Sequence, residues 1–259
     1  MNYSHITDGM TWSYSRITSY EDCPYKFFLK YIRNISGRRH FFSDYGSFMH
    51  LIIQKYLDKE LTKQELPDYY LLNFKKNVIG KAPNKNIFHN YFSQGLEYLK
   101  NIEEENHEIL GVEKEISFSI ADKNFVGYID KVSKTEDGII ITDNKSRALS
   151  PRSEKSKPTK QDQELDKYLR QLYLYSIAVE DEFGIPPTRL VFNCFRIQTQ
   201  ISEPFVPVNY EKTKDWALGS IKKISEESEW KPNIEWFKCK YLCDVCDNCE
   251  YFQMFGGKK

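Results

Sequence analysis

The sequence predicts an α/β fold in which a mixed central β-sheet is flanked by helices. Two apolar, β-branched runs flank the turn signal Glu136-Asp137-Gly138, so residues 125–146 are predicted to form a β-hairpin. An amphipathic helix over residues 166–180 separates this hairpin from later strands. The other predicted strands cover residues 109–120, 189–197 and 201–208.

The chain before the hairpin is predicted to be mostly helical. A short helix capped by Ser13 or Ser15 ends before Pro24, because the residue that precedes a proline disfavours helical geometry. A later helix carries Gly46 and His50 four residues apart, and so on one face. The remaining predicted helices cover residues 25–34, 61–77, 86–106 and 210–228.

Composition and charge restrict the class of protein. The 259 residues are sufficient for one large domain or two small ones, and we treat residues 1–259 as a single domain. Lys plus Arg equals Asp plus Glu at 37 each, so any nucleic-acid surface must be a local patch. No apolar run approaches the length of a membrane span, and the N-terminus lacks a signal-peptide pattern. We expect a soluble cytoplasmic protein with no membrane partner.

The hairpin carries two carboxylates and a lysine. Asp130 lies at the end of its first strand, and Asp143 and Lys145 lie late in its second. Residues two apart on a strand share a face, roughly 7 Å apart, so these three side chains are expected to converge. Carboxylate oxygens from separate strands suit Mg²⁺ or Mn²⁺, and the lysine can orient a water or neutralise a phosphate. The alternative is a set of solvent-facing hairpin charges.

Several other polar residues could complete such a site. Glu113 and Glu115 are expected to share a face of the strand at 109–120, so that one of them reaches the metal or both stay on the surface. Gln171 and Tyr175 are four apart on a helix and project together. The loop at 147–160 holds five basic residues and one acidic residue, and it either contacts a phosphate backbone or is simply solvated.

The C-terminal cysteines are the most specific local signal. Cys239, Cys243, Cys246 and Cys249 lie within eleven residues. Four thiolates can close a zinc site alone, but so tight a run favours three of them acting with a distant fourth ligand, for which Cys23 is the candidate. Zinc or an iron–sulfur cluster would suit these ligands. Such a site would join residues 1–35 to residues 238–252.

Five motifs, which follow one another along the chain in the family's order, resemble the RecB-like branch of the PD-(D/E)xK nucleases. That branch includes AddB-type and CRISPR-associated exonucleases with an iron–sulfur cluster. The resemblance extends from Ser13 to Tyr251. The matching motifs are Ser13-Tyr-Ser15-Arg-Ile with Cys23-Pro24, Gly46-x-x-x-His50, Gly127-Tyr-Ile-Asp130, Asp143-Asn144-Lys145 and Gln171-x-x-x-Tyr175.

The resemblance implies a restriction-endonuclease-like core and a metal-dependent DNA exonuclease. It implies that Asp130, Asp143 and Lys145 are catalytic, that His50 joins the two aspartates in binding Mg²⁺ or Mn²⁺, and that Gln171 and Tyr175 contact the substrate strand. It also implies a [4Fe–4S] cluster on the cysteines, with Zn²⁺ as the alternative. The expected partners are single-stranded or end-bearing duplex DNA and a helicase or recombination protein, in repair, recombination or phage and CRISPR-related processing.

The cysteine spacing departs from the family pattern C-x2-C-x5-C. Cys239-x3-Cys243-x5-Cys249 fits with one inserted residue, whereas Cys243-x2-Cys246-x2-Cys249 shortens the second interval. Both choices contain Cys23, Cys243 and Cys249, and the fourth ligand stays open.

Two rival functions remain, namely an inactive DNA-binding scaffold with a structural cysteine–metal site and an electron-transfer centre.

Overall fold

The computed structural model describes residues 3–104 and 106–255. Its centre is a five-stranded sheet with the strand order β1-β2-β3-β4-β5. The strands are β1 (Glu108–Ile120), β2 (Lys123–Thr135), β3 (Gly138–Asn144), β4 (Arg189–Cys194) and β5 (Thr199–Pro204). The β3–β4 pair is parallel and the other three pairs are antiparallel, so the predicted mixed sheet is confirmed.

Helices surround this sheet, which confirms the predicted α/β class. They are α1 (Ser4–Thr7), α2 (Tyr14–Asp22), α3 (Pro24–Phe27), α4 (Phe41–Leu57), α5 (Leu66–Asn77), α6 (Lys85–Asn101), α7 (Lys160–Phe183), α8 (Pro207–Glu226), α9 (Trp236–Tyr241) and α10 (Glu250–Met254). Among the described residues, no helix is both long and apolar enough to span a bilayer.

Local chemistry explains where several elements begin and end. Ser13, one of the two predicted caps, accepts a hydrogen bond from the Arg16 amide and starts α2. The predicted strand at 201–208 ends earlier, because Pro207 opens α8 at a position that needs no amide donor. The predicted strand at 189–197 also ends early, and Phe195–Ile197 form a 3₁₀ turn. The helix predicted at 25–34 divides into α3 and the π-helical turn Phe28–Ile32.

The predicted hairpin is present as β2 and β3. Thr135 pairs with Gly138 across a two-residue connection. Gly138 has a φ of 123°, and a Cβ there would approach Thr188 Cγ2 to 2.6 Å, so both conformation and space favour glycine. This tight turn fixes the register of the two strands and therefore the relative positions of their carboxylates.

The sheet has one apolar face and one more polar face. Ile141 and Phe192 belong to the main hydrophobic core, together with Leu172 of α7. On the opposite face, Thr142 and Asn144 line a cavity of about 520 Å³ beside the ends of α4 and α6. A second apolar cluster joins α4, α5 and α6. Both faces of the sheet are therefore covered near the end of β3, and the last residues of β3 lie between two helical layers.

The two ends of the described chain contact each other. The Arg38 amide donates to the Asp244 carbonyl at 2.7 Å, and Lys30 Nζ lies 2.5 Å from Asp244 Oδ2. The Tyr25 hydroxyl donates to Glu250 at 2.9 Å. These contacts bring the cysteine-bearing C-terminal segment against α3 and the turn that follows it.

Candidate active site

The end of the β2–β3 hairpin brings two buried carboxyl groups together. Asp130 and Asp143 are 7 % and 4 % exposed. In the antiparallel β2–β3 ladder, Lys131 pairs with Thr142. Asp130 and Asp143 are the next residues along these two strands, so they lie opposite each other. The Asn144 amide donates to Asp130 Oδ2 at 2.5 Å. The hairpin register, which the sequence predicts, therefore determines this part of the site.

Lys145 connects the hairpin to helix α7. Its Nζ lies 2.8 Å from Asp143 Oδ2 and donates to Gln171 Oε1 at 2.8 Å. Gln171 Nε2 in turn donates to the Tyr175 hydroxyl at 3.2 Å. The Lys145 amide donates to the Asn193 carbonyl, which extends the parallel pairing with β4 beyond the end of β3. The ammonium is held by side chains from two separate elements, so its position is restricted before any substrate binds.

Gly127 makes room for this arrangement. A Cβ at Gly127 would approach Tyr175 Cε1 to 2.5 Å, which no real contact allows. The glycine of the G-x-x-D motif and the tyrosine of the Q-x-x-x-Y motif are thus direct neighbours. Gly46, by contrast, faces the Ser146 hydroxyl, which lies 3.9 Å from the position that a Cβ would occupy. This places the Gly46 surface of α4 opposite the segment that follows Lys145.

His50 contributes an imidazole from helix α4. Its Nε2 lies 2.9 Å from the Asn144 carbonyl, and its Nδ1 lies 3.4 Å from Glu113 Oε1 and 3.6 Å from Asp130 Oδ2. A carbonyl only accepts hydrogen bonds, so Nε2 carries a proton, and in the neutral ring Nδ1 presents a lone pair to the carboxylates. His50, Glu113 and Asp130 each offer one ligand atom, all within 4.8 Å of one another. This donor set suits a divalent cation.

The electrostatics of this group favour added positive charge. Burial lowers the pKa of His50, but the hydrogen bond with Glu113 and the charges of Asp130 and Asp143 outweigh burial and raise the pKa to about 9. Burial, together with the charge of Asp143, raises the pKa of Asp130 to about 7. Both groups therefore retain protons more strongly than usual. A bound cation would neutralise the same excess of negative charge.

Glu113 is the residue that strand periodicity alone could not assign. It has a φ of 43°, a left-handed conformation that costs roughly 1–2 kcal/mol for a residue with a side chain. Glu113 lies at the His50 group, whereas Glu115 is exposed. The structure agrees with the alternative in which one of the two glutamates reaches the candidate site. A non-glycine residue in this conformation beside titratable groups is a common mark of a functional site.

Asp143 occupies a different place from the other predicted metal ligands. Among the described residues, the group whose ligand atoms converge contains Glu113 and not Asp143. Asp143 instead pairs with Lys145, although its charge acts on both His50 and Asp130. The roles assigned to His50, Asp130, Asp143, Lys145, Gln171 and Tyr175 stay predictions, and the structure places all six around one point.

The basic loop after Lys145 is largely anchored to the protein. Arg147 forms an ion pair with Glu164. Arg152 contacts both Asp166 at 2.8 Å and Glu203 at 2.9 Å. The buried Asp162 accepts hydrogen bonds from Ser153 and Thr159, which fixes the loop to the start of α7. Two of the five basic residues are thus already neutralised, and the loop is restrained, so neither the solvated nor the phosphate-contacting alternative involves all five charges.

The candidate cysteine cluster lines a separate cavity of about 760 Å³. Its walls include Cys23, Cys239, Cys243, Cys246 and Cys249. Burial raises the pKa of the Cys243 thiol to about 11 and that of Cys246 to about 12. In the described parts of the chain, no three of these sulfur atoms lie within 4.8 Å of one another.

The sheet order and the acid–lysine group define a nuclease-type α/β protein, and sequence comparison identifies the family. The chain belongs to the PD-(D/E)XK nuclease superfamily, whose family model matches residues 11–253. The protein is therefore a nuclease of that superfamily. A comparison with curated protein sequences finds no significant match.

Solved structures show the same fold. One is described as a "Putative exonuclease" from Eubacterium rectale, and it is 12 % identical to this chain with a TM-score of 0.53. The alignment covers 99 % of this chain and 97 % of that one. At this level of identity the likeness establishes the fold alone, and it extends over essentially the full length of both chains.

Proposed function

We propose that this nuclease is a divalent-metal-dependent deoxyribonuclease that removes nucleotides from DNA ends. The observation that carries the proposal is the meeting of a fixed lysine with a His–Glu–Asp group at the end of β3. The superfamily assignment supports phosphodiester hydrolysis, and the resemblance to RecB-like exonucleases supports action on single-stranded or end-bearing duplex DNA. Work alongside a helicase or recombination protein in repair, recombination or phage and CRISPR-related processing is part of the same proposal.

His50, Glu113 and Asp130 would hold Mg²⁺ or Mn²⁺, with Asp143 beside them. When bound, the ion supplies charge stabilisation at a phosphate and acidifies a water. The Asn144 carbonyl fixes the tautomer of His50, so that Nδ1 faces the carboxylates. Lys145, held by Asp143 and Gln171, orients the attacking water and offsets negative charge on the phosphate. Tyr175 supports Gln171 and thereby keeps the ammonium in place.

Glu113→Gln tests whether the third ligand contributes to catalysis. We expect the substitution to lower the cleavage rate by about 10–100-fold and to raise the Mn²⁺ concentration needed for half-maximal activity, because a neutral amide binds a hard cation poorly. The assay is digestion of end-labelled DNA across a Mn²⁺ titration. Glu115→Gln is the matched control, since it changes the same side chain two residues away at an exposed position of β1. Equal activity of the two variants would remove Glu113 from the metal site.

We further propose that the cysteine cavity holds a [4Fe–4S] cluster and not a single Zn²⁺ ion. The five cysteines line one cavity, and the resemblance to RecB-like nucleases that carry such a cluster supports this choice. The cavity lies between the N-terminal helices and the C-terminal segment, so a cluster there would crosslink the two ends of the chain. Cys23 and three of Cys239, Cys243, Cys246 and Cys249 would serve as ligands.

Metal analysis of anaerobically purified protein tests the cluster. We expect about four iron atoms per chain with matching sulfide and a visible absorption band. Cys243→Ala should abolish the band, whereas Cys194→Ala should retain it, because Cys194 is a buried cysteine that does not line this cavity. One zinc per chain without iron would contradict the proposal and favour the alternative ligand.

A further inference from the structure

The backbone of Asn144 joins two of the candidate metal ligands. Its amide donates to Asp130 Oδ2 at 2.5 Å, and its carbonyl accepts from His50 Nε2 at 2.9 Å. Asn144 is also the last residue of β3. A shift of this one residue would therefore move both hydrogen-bond partners or break its bonds to them.

The side chain of Asn144 lies on the other face of the sheet, where it meets Asn193 of β4. Successive residues of a strand alternate between faces, so Asn144 points away from the side of Asp143. Asn144 and Asn193 are register partners in the parallel β3–β4 pair, and Asn193 Nδ2 donates to Asn144 Oδ1 at 2.8 Å. The two asparagines are 6 % and 9 % exposed, so water competes little for this hydrogen bond.

Tyr98 of α6 holds the amide of Asn193 from a second direction. The same Nδ2 atom donates to the Tyr98 hydroxyl at 2.8 Å. An amide nitrogen carries two hydrogens, so the bonds to Asn144 and Tyr98 use both of them and fix the amide plane. Helix α6 carries none of the residues assigned to metal binding or catalysis. It nevertheless anchors the side chain that holds Asn144.

Asn193 also contacts the end of β3 through its main chain. Its carbonyl accepts a hydrogen bond from the Lys145 amide at 2.8 Å. That bond survives a change of side chain at position 193, whereas the bond to Asn144 depends on the side chain alone. A substitution of Asn193 therefore removes the restraint on Asn144 selectively. If the asparagine pair served only to satisfy buried polar groups, its loss would lower stability without altering the metal site.

We propose that Asn193 is a positioning residue for the candidate metal site, and that it acts through Asn144 to hold Asp130 and His50 where both can bind one divalent cation. The proposal rests on the proposed metal-dependent nuclease function and deepens it. None of the five sequence motifs contains Asn193. Hydrogen-bond partners that orient metal ligands in this way change metal affinity or activity by about 10–100-fold when they are removed.

Mn²⁺ binding to the protein without DNA tests the proposal, with free Mn²⁺ measured by electron paramagnetic resonance. Asn193→Ala should raise the Kd for Mn²⁺ by about 10-fold or more. Asn144→Ala keeps the backbone amide and carbonyl and should raise this Kd by a similar factor. The double variant should bind no more weakly than either single variant, because both substitutions remove the same contact.

Gln200→Ala is the matched control for the loss of an amide. Gln200 pairs with Asn193 in the β4–β5 ladder and lines the same cavity of about 520 Å³, but it is exposed. The Kd for Mn²⁺ should be unchanged in this variant. Thr213→Ala controls for stability, since the buried Thr213 hydroxyl donates to the Asn209 carbonyl within α8. It should lower the Tm and leave the Kd for Mn²⁺ unchanged.

Cleavage kinetics give a second readout that a purely structural role would not change. Asn193→Ala should raise the Mn²⁺ concentration needed for half-maximal cleavage by the same factor as the Kd. The KM for DNA should be unchanged, because the Asn193 side chain lies on the face of the sheet opposite Asp143.

An unchanged Kd for Mn²⁺ in Asn193→Ala, whatever its Tm, would overturn the inference, as would additive effects of the two single substitutions. Should Asn193→Ala fail to fold, Asn144→Ala decides by the same criterion. The failure of the proposed function is distinguishable. If the wild-type protein binds Mn²⁺ without cleaving DNA and Asn193→Ala weakens that binding, the nuclease proposal on DNA fails and the positioning role stands. If the wild-type protein cleaves DNA and Asn193→Ala binds Mn²⁺ equally well, only the positioning role is wrong.

Discussion

Replacement of Lys145 by alanine should lower DNA cleavage by about 10²–10⁴-fold, the contribution expected of a positioned proton-transfer or water-orienting group. The Lys145 ammonium lies 2.8 Å from both Asp143 and Gln171, and those two contacts fix it at the end of β3. Because the substitution leaves the buried Asp143 carboxylate without its cation, the Tm should fall, whereas the folded structure at 25 °C and DNA binding should be retained. Release of labelled nucleotides in Mn²⁺ measures the cleavage rate, and circular dichroism melts measure the Tm of the variant.

Lys134→Ala is the matched control for this loss, since Lys134 is an exposed lysine of the same hairpin. Retained metal-dependent cleavage by Lys145→Ala would reject the assignment of Lys145. If the wild-type protein itself fails to cleave DNA in Mg²⁺ or Mn²⁺ but binds it, the rival interpretation as an inactive scaffold is correct. Comparison of the wild-type protein with Lys145→Ala and Lys134→Ala therefore distinguishes an incorrect assignment of Lys145 from an incorrect assignment of nuclease function.

Asp130→Asn should separate activity from stability. We expect cleavage to fall at least about 100-fold, because the amide is a poor ligand for a hard cation. In EDTA, however, the Tm at pH 8 should rise by about 2–4 °C, the shift that 1 kcal/mol produces in a chain of this size. The reason is that Asp130 is 7 % exposed and burial raises its pKa to about 7, so folding at pH 8 requires a charge to be desolvated.

The pH dependence of this gain follows from the direction of the shift. A carboxyl group with a raised pKa in the folded state contributes most to stability when it is protonated, and this contribution is lost as the pH rises through about 7. The advantage of Asp130→Asn in EDTA should therefore be near zero at pH 4, grow between pH 4 and pH 7, and then level off. Asp137→Asn, in the exposed hairpin turn, should show no such profile. A lower Tm for Asp130→Asn at pH 8 would show that the ionised form stabilises the fold.

Much of the fold was predictable because its signals are local. The turn at Gly138 and the two β-branched runs specify the hairpin, and alternating polarity specifies the faces of its strands. Element boundaries were less predictable, since proline placement and short 3₁₀ or π turns change them by a few residues. The fold class depends on the order of the clearly predicted helices and strands, so errors of a few residues at their ends do not change it.

The candidate site contains features that local sequence patterns did not predict. Glu113 was one of two equivalent glutamates by periodicity, and only the packing of α4 against β1 shows that Glu113 is the one beside His50. The basic loop carried an excess of charge in the sequence, but Arg152 is neutralised by acids from α7 and β5, far along the chain.

The order of the nuclease motifs is read directly from the sequence. The sequence also determined the hairpin and the pairing of Asp143 with Lys145, because residues close in the chain fix both through backbone geometry. The tertiary structure alone decided which acidic residue meets His50, how the cysteines are arranged around their cavity and which residue contacts the Asn144 side chain. Those features depend on contacts between segments distant in sequence, whose distances no local periodicity encodes.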